Sequence, residues 1–289
     1  MRFAIVTDSS CNLPDDKIVE YGLHILTLSY RVGGKEYQSY VPGVKTDLPS
    51  FYQMLRSKEL VTTSLVSPTL CAEVFEKLLT EGQDILYIGF SSGLSGTFQV
   101  ASNTLEELAQ QYPDRKCLAI DSLAASLGQG LLVHYAVRLR DTGKSIDEVY
   151  DWLLQNRLHL AHWFTVDDLF FLKRGGRVSA SAALFGTMLS IKPVMHVDND
   201  GHLIPVAKVR GRKNALIALC DRMEQSAIDP AEQTVFISHG DCLEDAEFLR
   251  DLIRQRLGVQ SFLINYVDSV IGAHSGPGTV ALFFLADKR

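Results

Sequence analysis

The first 120 residues contain a repeated order of short apolar run, polar turn and helical pattern, and this order limits the architecture more than any other feature of the chain. Phe3 to Val6 reads as a strand ending at Thr7-Asp8-Ser9-Ser10, and Pro14 then opens a helix through Tyr21, with Gly22 as its stop. His24 to Tyr30 reads as a second strand. Asp47-Leu48-Pro49 has N-cap chemistry ahead of Phe51, Tyr52 and Leu55; Ser67-Pro68 starts a further helix whose apolar face is Leu70, Val74, Phe75, Leu78 and Leu79. Asp84 to Phe90 is a strongly apolar strand followed by a Gly/Ser turn and a helix to about Tyr112. Lys116 to Ile120 is another strand, with Asp121-Ser122 at its end and a long helix behind it. Strand, turn and helix in series imply a mostly parallel sheet, because parallel neighbours need a crossover connection and helices supply it on both faces.

The second half has a different pattern. Trp163 to Val166 and Pro193 to Val197 read as strands, and Asp198-Asn199-Asp200-Gly201 is a strong turn that returns His202 to Val206 as a hairpin. A helix near 214–226, strand 234–238, helix 244–257, strand 261–266 and a last strand 279–285 follow. The hairpin implies a mixed or antiparallel sheet. The expected fold class is therefore α/β with two domains: an N-terminal domain, residues 1–162, and a C-terminal mixed α/β domain, residues 163–289. A chain of 289 residues fits this division at roughly 150 residues per domain.

Composition narrows the function classes. Apolar residues are 46% and charged residues 21%, an ordinary globular balance, and 28 Lys+Arg against 34 Asp+Glu leave a net charge of -6. An acidic total argues against broad nucleic-acid or membrane-surface binding. The five cysteines, Cys11, Cys71, Cys117, Cys220 and Cys242, are odd in number and widely spaced, with no C-x-x-C. They read as reduced thiols of a cytoplasmic protein. The apolar run at the N-terminus is too short for a signal peptide, and no stretch approaches the ~18 apolar residues of a membrane span.

Small polar residues gather in four segments expected at the carboxyl ends of strands, where open α/β sheets bind ligands. They are Asp8-Ser9-Ser10, Thr62-Thr63-Ser64, Ser91 to Thr97, and Gly272-Ala273-His274-Ser275-Gly276-Pro277-Gly278-Thr279. In Ser91 to Thr97, hydroxyls and the unpaired N–H groups of a helix start can donate to an anion; simple N-capping by Ser92 or Ser95 is the plainer reading. Gly89-Phe90-Ser91-Ser92-Gly93 also matches G-x-S-x-G, the nucleophile elbow of α/β-hydrolases, so a serine hydrolase using Ser91 is the alternative. No P-loop and no G-x-G-x-x-G is present, and no metal-ligand spacing stands out, so neither a cofactor nor a metal is expected. His159 and His162 read as surface or packing residues, and His239-Gly240-Asp241 lacks a third ligand. His274 sits among glycines that admit close approach. Lys173-Arg174-Gly175-Gly176-Arg177 and Lys208-Val209-Arg210-Gly211-Arg212-Lys213 are basic, glycine-containing turns suited to a phosphate or a carboxylate. Ser179 to Leu189 reads as a thin helix, either plain core or the wall of a slot for a long apolar ligand.

Eight of these pieces, in order over the whole chain, resemble the DegV family, the fatty-acid-binding partners of a bacterial fatty acid kinase. They are Asp8-Ser9-Ser10-Cys11-Asn12-Leu13-Pro14; Thr62-Thr63-Ser64 before Ser67-Pro68; Ser91-Ser92-Gly93-Leu94-Ser95-Gly96-Thr97; Asp121-Ser122; Leu172-Lys173-Arg174-Gly175-Gly176-Arg177-Val178; Ile191-Lys192-Pro193; Lys208-Val209-Arg210; and His274-Ser275-Gly276-Pro277-Gly278. The resemblance implies two α/β domains with a long-chain fatty acid at their interface. It implies that Thr63 and Ser92 bind the carboxylate, with His274 near the same site. It also implies that Arg177, Arg210 and His274 form the charged surface where an ATP-binding kinase phosphorylates the bound acid. The chain would then be a cytoplasmic carrier that holds the acyl phosphate, without membrane insertion or nucleic acid, and not a complete enzyme. Leu65-Val66 stand where the family commonly has Gln-Pro, and Asn12 often corresponds to Asp.

Overall fold

The computed structural model describes residues 3–178 and 190–289. Strands β1 (Ala4–Asp8), β2 (His24–Leu26), β6 (Ile85–Gly89) and β7 (Cys117–Asp121) form an all-parallel sheet in the order β2-β1-β6-β7. Helices α1 (Asp15–Tyr21), α3 (Pro68–Thr80) and α4 (Thr97–Ala109) are its crossovers. Gly22 caps α1 with φ 60°, and Asp47 accepts the Ser50 N–H at the start of α2 (Leu48–Arg56), as their positions in the sequence imply. In the second half β8 (Leu160–Thr165), β9 (Ile191–Val197), β10 (Leu203–Arg210), β11 (Thr234–His239), β12 (Ser261–Tyr266) and β13 (Val280–Leu285) build a mixed sheet, ordered β10-β9-β8-β13-β11-β12. Only the β11–β12 pair in it is parallel among the described strands. Among the described residues no helix is long and apolar enough to cross a membrane.

Three local readings of the sequence are corrected. The run from His24 to Tyr30 is two strands: β2 stays in the parallel sheet, while β3 (Ser29–Val32) pairs antiparallel with β4 (Lys35–Gln38) and with β5 (Val61–Ser64). The break lies at Leu28, whose N–H donates to Ser9 Oγ and whose carbonyl accepts from the Ser39 N–H, so neither group is left for the ladder. Thr62-Thr63-Ser64 therefore lies within β5 and is not a turn behind a strand. Gly272 to Ser275 is the end of helix α10 (Ser269–Ser275), which starts where the Asp268 carboxylate accepts the N–H groups of Val270 and Ile271. The segment Ser179 to Leu189, read above as a thin helix, lies outside the described residues.

Helix α5 (Leu127–Asp141), followed by α6 (Ile146–Asn156), sits between the two large sheets. Every residue from Leu127 to Val133 is buried, so the helix has no solvent face over its first two turns. Alternation along the strands explains what it touches. Ile5, Leu86 and Ile88 of the parallel sheet and Phe164, Phe236, Ala281 and Phe283 of the mixed sheet point into the core that α5 occupies. Ala161, Val235, Ile237, Val280, Leu282 and Phe284 point the other way, into a second core under α8 (Arg212–Ser226) and α9 (Leu243–Leu257). On α5, Gln129 Nε2 donates to Thr7 Oγ1 at 3.0 Å and to the Ile88 carbonyl at 3.3 Å, while Gln129 Oε1 and His134 Nε2 have no partner among the described residues. Two glycines set how close the helix comes. A Cβ on Gly128 would lie 2.8 Å from the Phe283 ring, and one on Gly130 would lie 2.6 Å from the Cys11 carbonyl oxygen.

Gly130→Ala is expected to destabilise the fold by about 1–3 kcal/mol, because the clash is with backbone and outweighs the ~1 kcal/mol helix-propensity gain of alanine. A urea titration measures it, and a stabilised variant would overturn the packing argument. A second expectation follows from buried histidines. Burial holds His134, His196, His239 and His274 down to about 4, and His162 well below its ordinary value. The unfolded chain protonates its histidines near 6.5. Their stabilising contribution is therefore whole above pH 6.5 and falls away as pH drops toward 4. Asp268, raised by burial to about 6, and Asp8, also raised, act in the opposite sense below pH 6. The five histidines outnumber the two carboxylates, so the thermal midpoint at pH 5 should lie below that at pH 7.5. An equal or higher midpoint at pH 5 would contradict it.

Candidate functional site

One cleft gathers most of the polar segments singled out in the sequence. It lies where the N-terminal end of α5 meets both sheets, with lining residues from both halves of the chain. Its walls are largely apolar: Leu28, Leu65, Phe90, Leu94, Phe164, Leu172, Leu203, Val267, Val270, Ile271 and Ala281. Polar residues cluster at Thr63, Ser95, Arg177, His274 and Ser275, and again at Ser126, Ser238 and His162.

Each of the first group is placed by a short element. Thr63 sits in β5 opposite Tyr30 of β3. Its Oγ1 lies 2.8 Å from His274 Nε2, across 211 residues of sequence. His274 stands in the last turn of α10, and its ring packs against the end of α7 (Phe170–Arg174): a Cβ on Gly175 would come within 2.1 Å of His274 Nδ1. Glycine at 175 is therefore required for the ring to occupy this position. Burial, with Arg177 and then Arg174 nearby, lowers the His274 pKa to about 4. The imidazole is neutral at pH 7 and pairs with the Thr63 hydroxyl as a neutral donor–acceptor couple. Arg177 donates from Nε to the Leu94 carbonyl at 3.1 Å and from Nη1 to the Gly175 carbonyl, which holds its guanidinium beside the cleft. Ser95, just ahead of α4, places Oγ 3.0 Å from Thr97 Oγ1 and accepts the Thr97 N–H.

Ser92, expected at the carboxylate, lies outside the cleft, and Arg210, expected on the partner surface, is exposed. Ser92 is exposed and does not line the cleft; its N–H is held by the Asp121 carboxylate, which turns the loop so that Ser95 faces the cavity instead. Arg210 is exposed at the end of β10, outside the lining, although its neighbours are engaged: Arg212 pairs with Asp245 at 2.8 Å and Lys192 with Asp167 at 2.7 Å. The Ser91 hydroxyl does not have the surroundings of a nucleophile. It is fully buried, its Oγ donates to the Gly201 carbonyl at 2.9 Å, and it accepts the Gly93 N–H. A nucleophilic serine gives its proton to a base, whereas this one fastens the 198–201 turn to the first half of the chain. Gly201, at φ 80°, leaves the room: a Cβ there would fall 2.1 Å from Ser91 Oγ.

Two lining residues could be found only in three dimensions. His162, read from the sequence as packing or surface, faces the cleft from β8. Ser126 caps no helix N–H with its side chain; its Oγ instead lies 2.7 Å from Asn12 Oδ1 and 3.0 Å from Ser238 Oγ. The period-2 pattern of β8 marks 162 and 164 as sharing a face, but nothing in the sequence says which face carries the cavity.

Comparison with known proteins identifies the lineage. Residues 2–287 match the family model described as "Uncharacterised protein, DegV family". A DegV domain-containing protein of Clostridium perfringens is 43% identical over 288 residues, covering 100% of this chain and 99% of its own. A DegV family protein from Thermus thermophilus, described by its fatty acid binding, is similar in structure with a TM-score of 0.86 at 30% identity, over 99% of this chain and 100% of its own. DegV from Bacillus subtilis, described as a fatty acid binding protein, gives 0.85 at 27% identity over 99% and 100%. With a family match over almost its whole length, this chain belongs to the DegV family.

Proposed function

We propose that this protein binds one long-chain fatty acid in the cleft between its two halves, 1–162 and 163–289. The observation that carries the reading is the cleft itself: apolar walls with Thr63, Ser95 and His274 at one end, in a chain whose structural relatives from Thermus thermophilus and Bacillus subtilis are described as fatty acid binding. A carboxylate in a partly dry cleft needs donors to offset its desolvation. The Thr63–His274 couple keeps one proton to donate after its internal bond, the Ser95 hydroxyl supplies another, and Arg177 adds positive charge nearby. The tail supplies most of the affinity. Each buried methylene contributes about 0.8 kcal/mol, so ~14 of them contribute on the order of 11 kcal/mol before ordering costs.

On the same reading the protein presents the carboxylate to a separate ATP-binding kinase and holds the acyl phosphate. The phosphate would add charge next to Arg177, and the exposed Arg210 would belong to the surface that the partner meets. The protein acts as a cytoplasmic carrier, and the nucleotide and the transfer chemistry belong to the kinase.

Solvent extraction of the denatured protein followed by mass spectrometry should release a fatty acid. Adding palmitate or oleate back to delipidated protein should raise the thermal midpoint, since ligand at 100 times Kd adds about 2.7 kcal/mol. No acid in the extract and no shift on addition would defeat the reading. Thr63→Val with Ser95→Ala should weaken binding roughly 10- to 100-fold, the worth of one or two hydrogen bonds to a charged group. Arg210→Ala should leave fatty-acid affinity unchanged while lowering acyl phosphate formation in the presence of a fatty acid kinase and ATP. Equal loss of lipid in the two variants would show that the division between cleft and partner surface is wrong.

A further inference from the structure

The end of the cleft away from His274 is not a plain hydrocarbon slot. Strand register orders its floor in rungs. Ser238, Ala281 and Phe164 share one rung, and Phe236, Phe283 and His162 share the rung two residues farther along, about 7 Å away at the strand rise. Thr279, whose hydroxyl donates to the carbonyls of Ser275 and Gly276, lies at the opposite end beside His274. His162 is thus farther from the Thr63–His274 pair than Phe164 is.

His162 is 4% exposed and lines the cleft, yet its Nδ1 has no hydrogen-bond partner. Its ring lies 4.5 Å from that of Phe283 and 5.7 Å from that of Phe164, centroid to centroid, so its immediate packing is aromatic. Arg289 and His196 nearby add to burial in holding it neutral. A neutral imidazole carries one N–H donor and one lone-pair acceptor, and a buried polar group left unpaired is unfavourable. On the neighbouring rung, Ser238 Oγ is linked to Ser126 Oγ from the start of α5, and both hydroxyls keep acceptor capacity in the cavity they line. A saturated alkyl chain satisfies none of these atoms. A hydroxyl on the chain satisfies a donor and an acceptor together.

Building on the fatty-acid reading above, we propose that His162, with Ser126 and Ser238, forms a polar station within the acyl portion of the cleft that selects fatty acids carrying a hydroxyl group along the chain. His162 is the specificity-determining residue of the station, because it alone of the three has a side-chain polar atom left without a partner among the described residues.

The test is calorimetric titration of the delipidated full-length protein with stearate, 10-hydroxystearate and 12-hydroxystearate, and with palmitate against 16-hydroxypalmitate. At least one hydroxy acid should bind about tenfold tighter than its parent, the scale of one buried hydrogen bond. His162→Leu should remove that preference, while His162→Gln, which restores a donor and an acceptor, should recover part of it. Thermal melts of both variants check that they fold. Stearate binding without preference for any hydroxy acid, the result expected if a buried water serves His162, overturns this proposal alone. So does a preference that survives His162→Leu. Failure of every acid to bind overturns the fatty-acid reading and this proposal together.

Discussion

The packing of helix α5 between two sheets is the constraint on which the rest of the molecule depends. A helix buried on all sides over its first two turns has to be apolar and thin where it meets its neighbours. Leu127, Leu131, Leu132 and Val133 meet the first demand and Gly128 and Gly130 the second, while the Gln129 amide nitrogen finds acceptors on Thr7 and Ile88. Because the helix spaces the sheets apart, its N-terminal end leaves a gap among the described residues. The cleft is that gap, and Ala125 and Ser126 line it from the approach to the helix.

Separate connections then close the gap into a site. The Ser91–Gly201 bond fastens the hairpin turn of the mixed sheet to the loop ahead of α4. The Thr63–His274 bond joins the small antiparallel sheet to α10, and Tyr52 Oη donates to the Val267 carbonyl on the same side. Arg177 reaches back to the Leu94 carbonyl. Each connection spans the two halves of the chain, so the polar end of the cleft is held by the same bonds that hold the halves together. Occupation of the cleft and stability of the fold are for that reason coupled quantities.

Much of the fold was legible in the sequence, because the signals involved are local. Gly22 past a helix, Asp47 before one, and the Asp198 to Gly201 turn act through the backbone within four residues. The strand that divides at Leu28 was not legible, since the groups that take its backbone away, Ser9 and Ser39, are distant in sequence. The helical state of Gly272 to Ser275 was hidden by its glycines, which serve packing: a Cβ on Gly272 would lie 2.7 Å from the Tyr52 hydroxyl. For the site, motif resemblance pointed to Thr63, Arg177 and His274. It chose Ser92 over Ser95, because in a loop of consecutive hydroxyls the facing one is decided by which backbone N–H the distant Asp121 carboxylate holds.

The sequence by itself determined the alternation of strand and helix, the change of pattern after the first half, and the family. These depend on periodicity, capping and motif order, all of which are properties of neighbours along the chain. Only the tertiary structure decided that Ser91 is a buried fastener, that Arg210 stands away from the cleft, and that His162 faces into it. Those outcomes depend on which of two faces a residue presents and on what another segment brings to it, and contacts between remote residues leave no trace in local spacing.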